Sequence, residues 1–171
     1  MLVEFVRSLP EAAEALDLGC GDGRLTAELR ARSVTGADVS RVALERARDR
    51  VPDARLVRVE PDEPLPFEDS SFDLALCAET LEHVRDVQLL MSELRRVLRP
   101  GGTLAVTTPA HSRLTAARLV VRGWESLFEP LSPHLRFFTG RSLRRLLDEL
   151  GFDVTSLRRS AGTLLALASR P

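Results

Sequence analysis

The sequence predicts an α/β fold in which short apolar strands alternate with helical stretches around a mainly parallel, seven-stranded sheet. Two observations lead there. Short apolar runs recur between stretches whose apolar residues step by three and four, the pattern of βα units. The last two runs, residues 152–157 and 163–168, are only five residues apart, too few for the crossover that parallel pairing requires. Those two strands are therefore expected to form an antiparallel hairpin.

A short helix at residues 2–8 leads into a first strand near 13–18. Glycines come next, then a helix carrying Leu25 and Leu29. The second strand is expected at about 33–37, and Ser40 is placed to cap a helix ending at Arg50. The third strand falls near 54–59, and the fourth, Phe72–Ala78, is too apolar to be half exposed. A long helix then carries Val84, Val87, Leu90, Leu94 and Val97. Arg99-Pro100-Gly101-Gly102 is expected to stop it, because proline cannot continue a helix and glycine suits the turn. The fifth strand spans about 103–108. Leu143, Leu146, Leu147 and Leu150 mark one face of the last helix, with Gly151 as its stop. Between them, residues 110–138 include a stretch apolar nearly all round. It is expected either to pack as a helix on the sheet edge or to cover a site or partner surface.

At 171 residues the chain suits one domain, and 44% hydrophobic with 29% charged residues is a globular balance. A net charge of −1 offers no bulk attraction to nucleic acid or anionic membrane. No apolar stretch approaches the ~20 residues that span a bilayer. The first ten residues contain Glu4 and no extended apolar core, so no secretory signal is expected and the default location is cytoplasmic. Cys20 and Cys77 make no disulfide framework and have no visible activating group, which reads as two reduced, buried thiols. All 24 basic residues are Arg, while Lys, Ile, Asn and Tyr are absent. The codons of those absent residues are AT-rich, so a GC-rich genome accounts for the bias.

Asp17-Leu18-Gly19-Cys20-Gly21-Asp22-Gly23 places three alternate glycines directly after the first strand. Glycine lets the backbone turn sharply and approach a ligand with no Cβ in the way. Such a turn serves dinucleotide sites too, so it does not by itself name a ligand. The carboxylates help to decide. A pyrophosphate would meet the negative charges of Asp17 and Asp22, whereas a cationic nucleoside without phosphate is favoured by them. Asp38 lies 21 residues beyond Asp17, one βα unit on, where a carboxylate can accept hydrogen bonds from two ribose hydroxyls.

Together these residues resemble the first motif and the ribose-binding acid of class I S-adenosylmethionine-dependent methyltransferases. Glu63-Pro64-Leu65-Pro66-Phe67-Glu68-Asp69-Ser70-Ser71-Phe72-Asp73, Glu79-Thr80-Leu81-Glu82-His83-Val84 and Leu98-Arg99-Pro100-Gly101-Gly102-Thr103-Leu104 are similar to later family blocks, in the family's order. Phe137-Phe138-Thr139 through Leu150-Gly151-Phe152 resembles its closing helix and strand. The resemblance implies a Rossmann-like three-layer sandwich whose seven-stranded, mostly parallel sheet has the order 3-2-1-4-5-7-6 with strand 7 antiparallel. It implies one methyltransferase domain over residues 1–171, with a lid-like segment at about 110–138. It also implies S-adenosylmethionine as cofactor. Gly19, Cys20, Gly21 and Gly23 would line its methionine part, with Asp17 near the ammonium. Asp38 and the adjoining Val39 would meet the ribose, Glu60 and Pro61 the adenine, and Cys77 and Ala78 the donor sulfur. Two departures stand out. Pro61 has no N–H to offer the adenine ring, and only about twelve residues precede the first strand to cover the cofactor.

Methyl transfer from a sulfonium is an in-line displacement in which positioning contributes most of the acceleration. Glu79, Glu82 and His83 come just after the fourth strand; on a helix, their spacing puts all three on one face. Glu79 would orient the acceptor and His83 take its proton. The same E-x-x-E-H pattern resembles metal sites in certain O-methyltransferase relatives, with Glu79, Glu82 and His83 as ligands and His111 or His134 as a fourth. Which divalent metal would suit is not readable, and the leading reading needs none. His134, before Arg136-Phe137-Phe138, is the candidate substrate contact. A small-molecule acceptor is expected, with no nucleic acid and no membrane, acting as monomer or homodimer. Two other functions compete: a cofactor-binding scaffold without catalysis, and an NAD-dependent oxidoreductase.

Overall fold

The computed structural model describes residues 1–111 and 134–171. In chain order the described elements begin with α1 (Leu2–Arg7), β1 (Ala12–Leu18), β2 (Ala31–Asp38), α2 (Arg41–Arg50) and β3 (Arg55–Arg58). They continue with β4 (Phe72–Ala78), α3 (Val87–Val97), β5 (Leu98–Pro109), α4 (Gly140–Glu149), β6 (Asp153–Ser160) and β7 (Thr163–Ser169). The strands form one seven-stranded sheet in the order β3-β2-β1-β4-β5-β7-β6. β1 to β5 pair in parallel, and β7 runs antiparallel to both β5 and β6. The expected seven strands, their order and the closing hairpin are all observed. The all-round apolar stretch expected within 110–138 falls almost wholly outside the described residues.

Alternate residues of a strand point to opposite faces, and the central strands are apolar on both. Leu74 and Leu76 of β4 join Ala15, Ala105 and Leu165 under Phe5, Val6 and Leu9 from α1 and the turn after it. Ala75 and Cys77 face the other way, with Leu16, Leu104 and Val106, beneath Met91 and Leu94 of α3 and Leu143 and Leu147 of α4. Two such layers bury the sheet from both sides. Truncating any one of these leucines to alanine is worth about 2–5 kcal/mol, because it leaves a cavity as well as losing transfer energy.

Caps account for the helix boundaries. Ser40 accepts from Ala43 N–H at the start of α2, and Asp86 does the same for Leu89 at the start of α3. Thr139 and Ser142 form a reciprocal capping box on α4. Gly151 comes just past α4 at φ +79°, a backbone state that glycine enters without strain, and its carbonyl accepts from Arg95 Nε.

Three expectations are corrected. The helix carrying Leu25 and Leu29 is only a 3-10 turn, Thr26–Glu28. After the glycine loop, seven residues remain to return the chain from the carboxyl end of β1 to the start of β2. That distance is about 20 Å, and seven helical residues rise only about 10 Å. The segment has room only for a turn and one 3-10 turn, with extended backbone resuming at Leu29, and Leu25 and Leu29 still pack toward the α1 layer. Next, α3 begins at Val87, so Val84 lies before it. Finally, Arg99-Pro100-Gly101-Gly102 does not separate helix from strand. β5 starts at Leu98, which pairs with Phe72, and the register shift between Phe72 and Leu74 absorbs the Pro-Gly-Gly stretch.

Candidate functional site

β1 and β4 are neighbours whose outgoing connections diverge, β1 toward β2 and β4 toward β5. A crevice opens at the carboxyl ends of such strands. Here it is a cavity of about 450 Å³, floored by Leu18 and Gly19 of the β1 end and by Glu79 and Thr80 past β4. Val39, Val59, Leu65, Leu89 and Leu90 make apolar walls, and Asp38, Glu60, Asp62, Glu63 and Asp86 bring carboxylates to it. Arg85 closes the far rim, paired with Asp62 at 2.6 Å. Dense acidity beside apolar walls suits a cationic ligand with a planar hydrophobic part and repels a pyrophosphate.

The glycine loop is fixed from two sides. Asp38 Oδ2 accepts from Gly21 N–H at 2.8 Å and its Oδ1 accepts from Ser40 N–H at 2.8 Å. The carboxylate is thereby locked at the end of β2, and each oxygen keeps a further lone pair for a ligand hydroxyl. Asp17 is 1% exposed and lies behind the loop, where Thr26 Oγ1 donates to it at 2.6 Å. Burial raises its carboxyl to about 6; the Thr26 hydrogen bond works against that rise, and the nearby Asp38 charge adds to it. Cys20 is pushed up to about 12 by burial and by Asp17, and burial drives Cys77 higher still. Both are protonated, unreactive thiols, in line with the absence of an activating group in the sequence.

Past β4 the chain does not turn helical at once. Glu79 adopts φ +50°, rare for a residue with a side chain, and only Leu81–His83 form a 3-10 turn. Glu79, Glu82 and His83 therefore do not share one helix face. Glu79 receives a hydrogen bond from Thr107 Oγ1 at 2.8 Å, while its own N–H donates to the Thr107 carbonyl at 2.9 Å. Burial raises the Glu79 carboxyl, partly offset by the Thr107 hydroxyl. Glu82 is buried, accepts from Thr108 Oγ1 at 3.0 Å, and offers its main-chain carbonyl to the N–H groups of Leu135 and Arg136. His83 stays on the cavity wall, its Nε2 3.9 Å from Glu82 Oε1.

The return of the chain at 134–138 brings His134 to His83, their ring centroids 4.8 Å apart. Glu82, His83 and His134 each offer a ligand atom within 4.8 Å of the others, a grouping that leaves Glu79 out. His111 packs edge-on against Phe137, and burial lowers its imidazole, with the charges of His134 and Arg159 adding to the effect.

Of the residues singled out from sequence, Gly19, Asp38, Val39, Glu60, Pro61, Glu79 and His83 line the cavity. Asp17, Cys20, Gly21, Gly23, Cys77, Ala78, Glu82 and His134 stand outside its lining, and all of these but Gly21 and His134 are buried. Sequence reasoning missed Leu65, Leu89, Thr80 and the Asp62–Arg85 pair. Their signal was weak, since an apolar residue after a strand and a charge in a loop each have ordinary structural explanations.

The comparisons with known proteins agree with this geometry. Residues 2–157 match the family model described as Methyltransferase domain. An O-methyltransferase of Penicillium expansum is 32% identical over 167 residues, covering 91% of this chain and 59% of that protein. A probable S-adenosylmethionine-dependent methyltransferase of Mycolicibacterium smegmatis is 33% identical over 145 residues, 82% of this chain and 52% of its own length. The chain thus spans little more than half of these two relatives. Among solved structures, a putative methyltransferase of Bacillus halodurans superposes with a TM-score of 0.83 at 17% identity, covering 99% of this chain and 98% of that one. At such identity the likeness concerns the fold alone.

Proposed function

Because this chain belongs to the methyltransferase-domain family, we propose that it methylates an oxygen or nitrogen of a small-molecule acceptor, with S-adenosylmethionine as the methyl donor. One observation carries the proposal: a glycine loop and a locked Asp38 open on a cavity whose polar lining is chiefly carboxylate. Asp38 accepts from the ribose hydroxyls, and Val39, Leu65, Leu89 and Leu90 take the adenine face. Pro61 gives the ring no N–H, so polar contact there falls to Glu60 or to neighbouring main chain. The donor, when bound, supplies an electrophilic methyl group on a sulfonium. Glu79, held by Thr107, orients the acceptor, and His83 Nε2 takes the proton that the acceptor gives up. His134 forms part of the acceptor wall.

Calorimetry with S-adenosylmethionine, S-adenosylhomocysteine and NAD tests the cofactor. Heat with the first two and none with NAD supports the reading; the reverse would point to an oxidoreductase. Transfer of labelled methyl to a metabolite extract then separates an enzyme from a binding scaffold. The grouping of Glu82, His83 and His134 favours a second reading, in which these residues hold a divalent cation beside the acceptor. Loss of transfer on chelation, restored by added metal, supports it, and full activity in chelator dismisses it.

A further inference from the structure

Between the glycine loop and the His83 turn stands one residue, Thr80, whose side chain touches the first and whose main chain begins the second. Its hydroxyl donates to the Ala78 carbonyl at 2.9 Å and lies 3.3 Å from the Leu18 carbonyl, so one proton ties the carboxyl ends of β4 and β1. The same oxygen fills the space beside Gly19, where an added Cβ would stand 2.1 Å from it. On the other side, the Thr80 carbonyl accepts from His83 N–H at 3.0 Å and so begins the 3-10 turn. Thr80 reaches this place because Glu79 takes its left-handed backbone state and swings the chain off the strand.

We propose that Thr80 is a positioning residue that sets the glycine loop in register with the His83 turn. The inference rests on the methyl-transfer reading above. It has a simple physical basis: the donor is held by the loop, the proton acceptor stands on the turn, and in-line chemistry tolerates little error between them. Threonine suits the place because its hydroxyl serves two carbonyls while its methyl packs against the Gly19 backbone. Gly19 must lack a side chain for this contact as well as for its φ of +80°.

The test compares Thr80→Val, Thr80→Ala and Thr80→Ser by calorimetry with S-adenosylmethionine at 25 °C, with thermal melting alongside. Valine keeps the shape and removes the hydroxyl, leaving carbonyls short of a partner. Its Kd is expected to rise roughly tenfold, alanine's to rise at least as much, and serine's to stay within about twofold of wild type. If valine does not fold, the serine and alanine pair decides by the same contrast. A merely structural role would lower the melting temperature of Thr80→Val and leave its Kd unchanged, which overturns the inference. Equal affinity in all variants beside tight wild-type binding overturns it alone. A wild-type chain that gives no heat overturns the methyl-transfer reading with it.

Discussion

The two ends of the cavity are built differently. At the proposed cofactor end, Gly19 and Gly21 follow β1 and Asp38 ends β2, and the glycine N–H groups donate to the Ala37 carbonyl and the Asp38 carboxylate across the two adjacent strand ends. At the proposed acceptor end, Glu79 and His83 of the cavity wall and the buried Glu82 behind them depend on Thr107 and Thr108 of β5 and on the return of the chain at 134–138. The first end is made chiefly by two adjacent strand ends one βα unit apart, with Thr80 packed on Gly19; the second exists only where β4, β5 and the 134–138 segment meet. The difference teaches that donor binding should survive changes which abolish transfer, and that acceptor specificity can vary over a constant donor site.

The largest effect expected is that of Gly19→Ala, which forces a side chain to φ +80° and against Thr80. S-adenosylmethionine binding should be lost at millimolar concentration, with a lower melting temperature; a normal Kd would mean that the loop is not the donor site. Next, Asp38→Ala removes both the proposed ribose acceptor and the tether on Gly21 and Ser40. A rise of about a hundredfold in Kd is expected, since hydrogen bonds to charged groups contribute roughly 1.5–3 kcal/mol. His83→Ala should sharpen the comparison from the other end. Transfer to the acceptor found in the extract should slow roughly a hundredfold, while donor Kd stays within about twofold.

Asp17 gives a pH-dependent contrast. Its carboxyl is raised to about 6 by burial, from an ordinary value near 4. A raised carboxyl binds its proton more tightly in the folded chain than in the unfolded one. Its contribution to stability is therefore complete below about pH 4 and is lost as pH climbs through about 6. Asp17→Asn keeps the shape without the buried charge. It should stabilise the ligand-free chain by roughly 1–3 kcal/mol at pH 7.5 and give no advantage near pH 4. Equal melting temperatures at pH 7.5 would show that the charge costs nothing there. The smallest effect is expected at the rim, where Arg85 is mostly exposed and pairs with Asp62. Arg85→Ala should change donor Kd by less than about threefold, in line with the small worth of exposed ion pairs.

The sequence by itself determined the sheet, because βα alternation, the short link before β7 and the doubly apolar β4 leave little freedom in topology. It also placed Gly19 and Asp38 on the cavity, through backbone conformation and one βα unit of spacing. It did not reveal that the segment after the glycines is too short for a regular helix, since Leu25 and Leu29 keep helical spacing in a stretch that forms only a 3-10 turn. Nor did it show that Glu79 turns left-handed and so leaves the face of Glu82 and His83. Tertiary structure decided which residues gather at the proposed acceptor end, bringing His134 to His83 and Thr108 to Glu82 across 51 and 26 positions. The physical reason is range: periodicity and glycine chemistry act within a few residues, whereas a pocket wall is chosen by whatever distant chain packs against it.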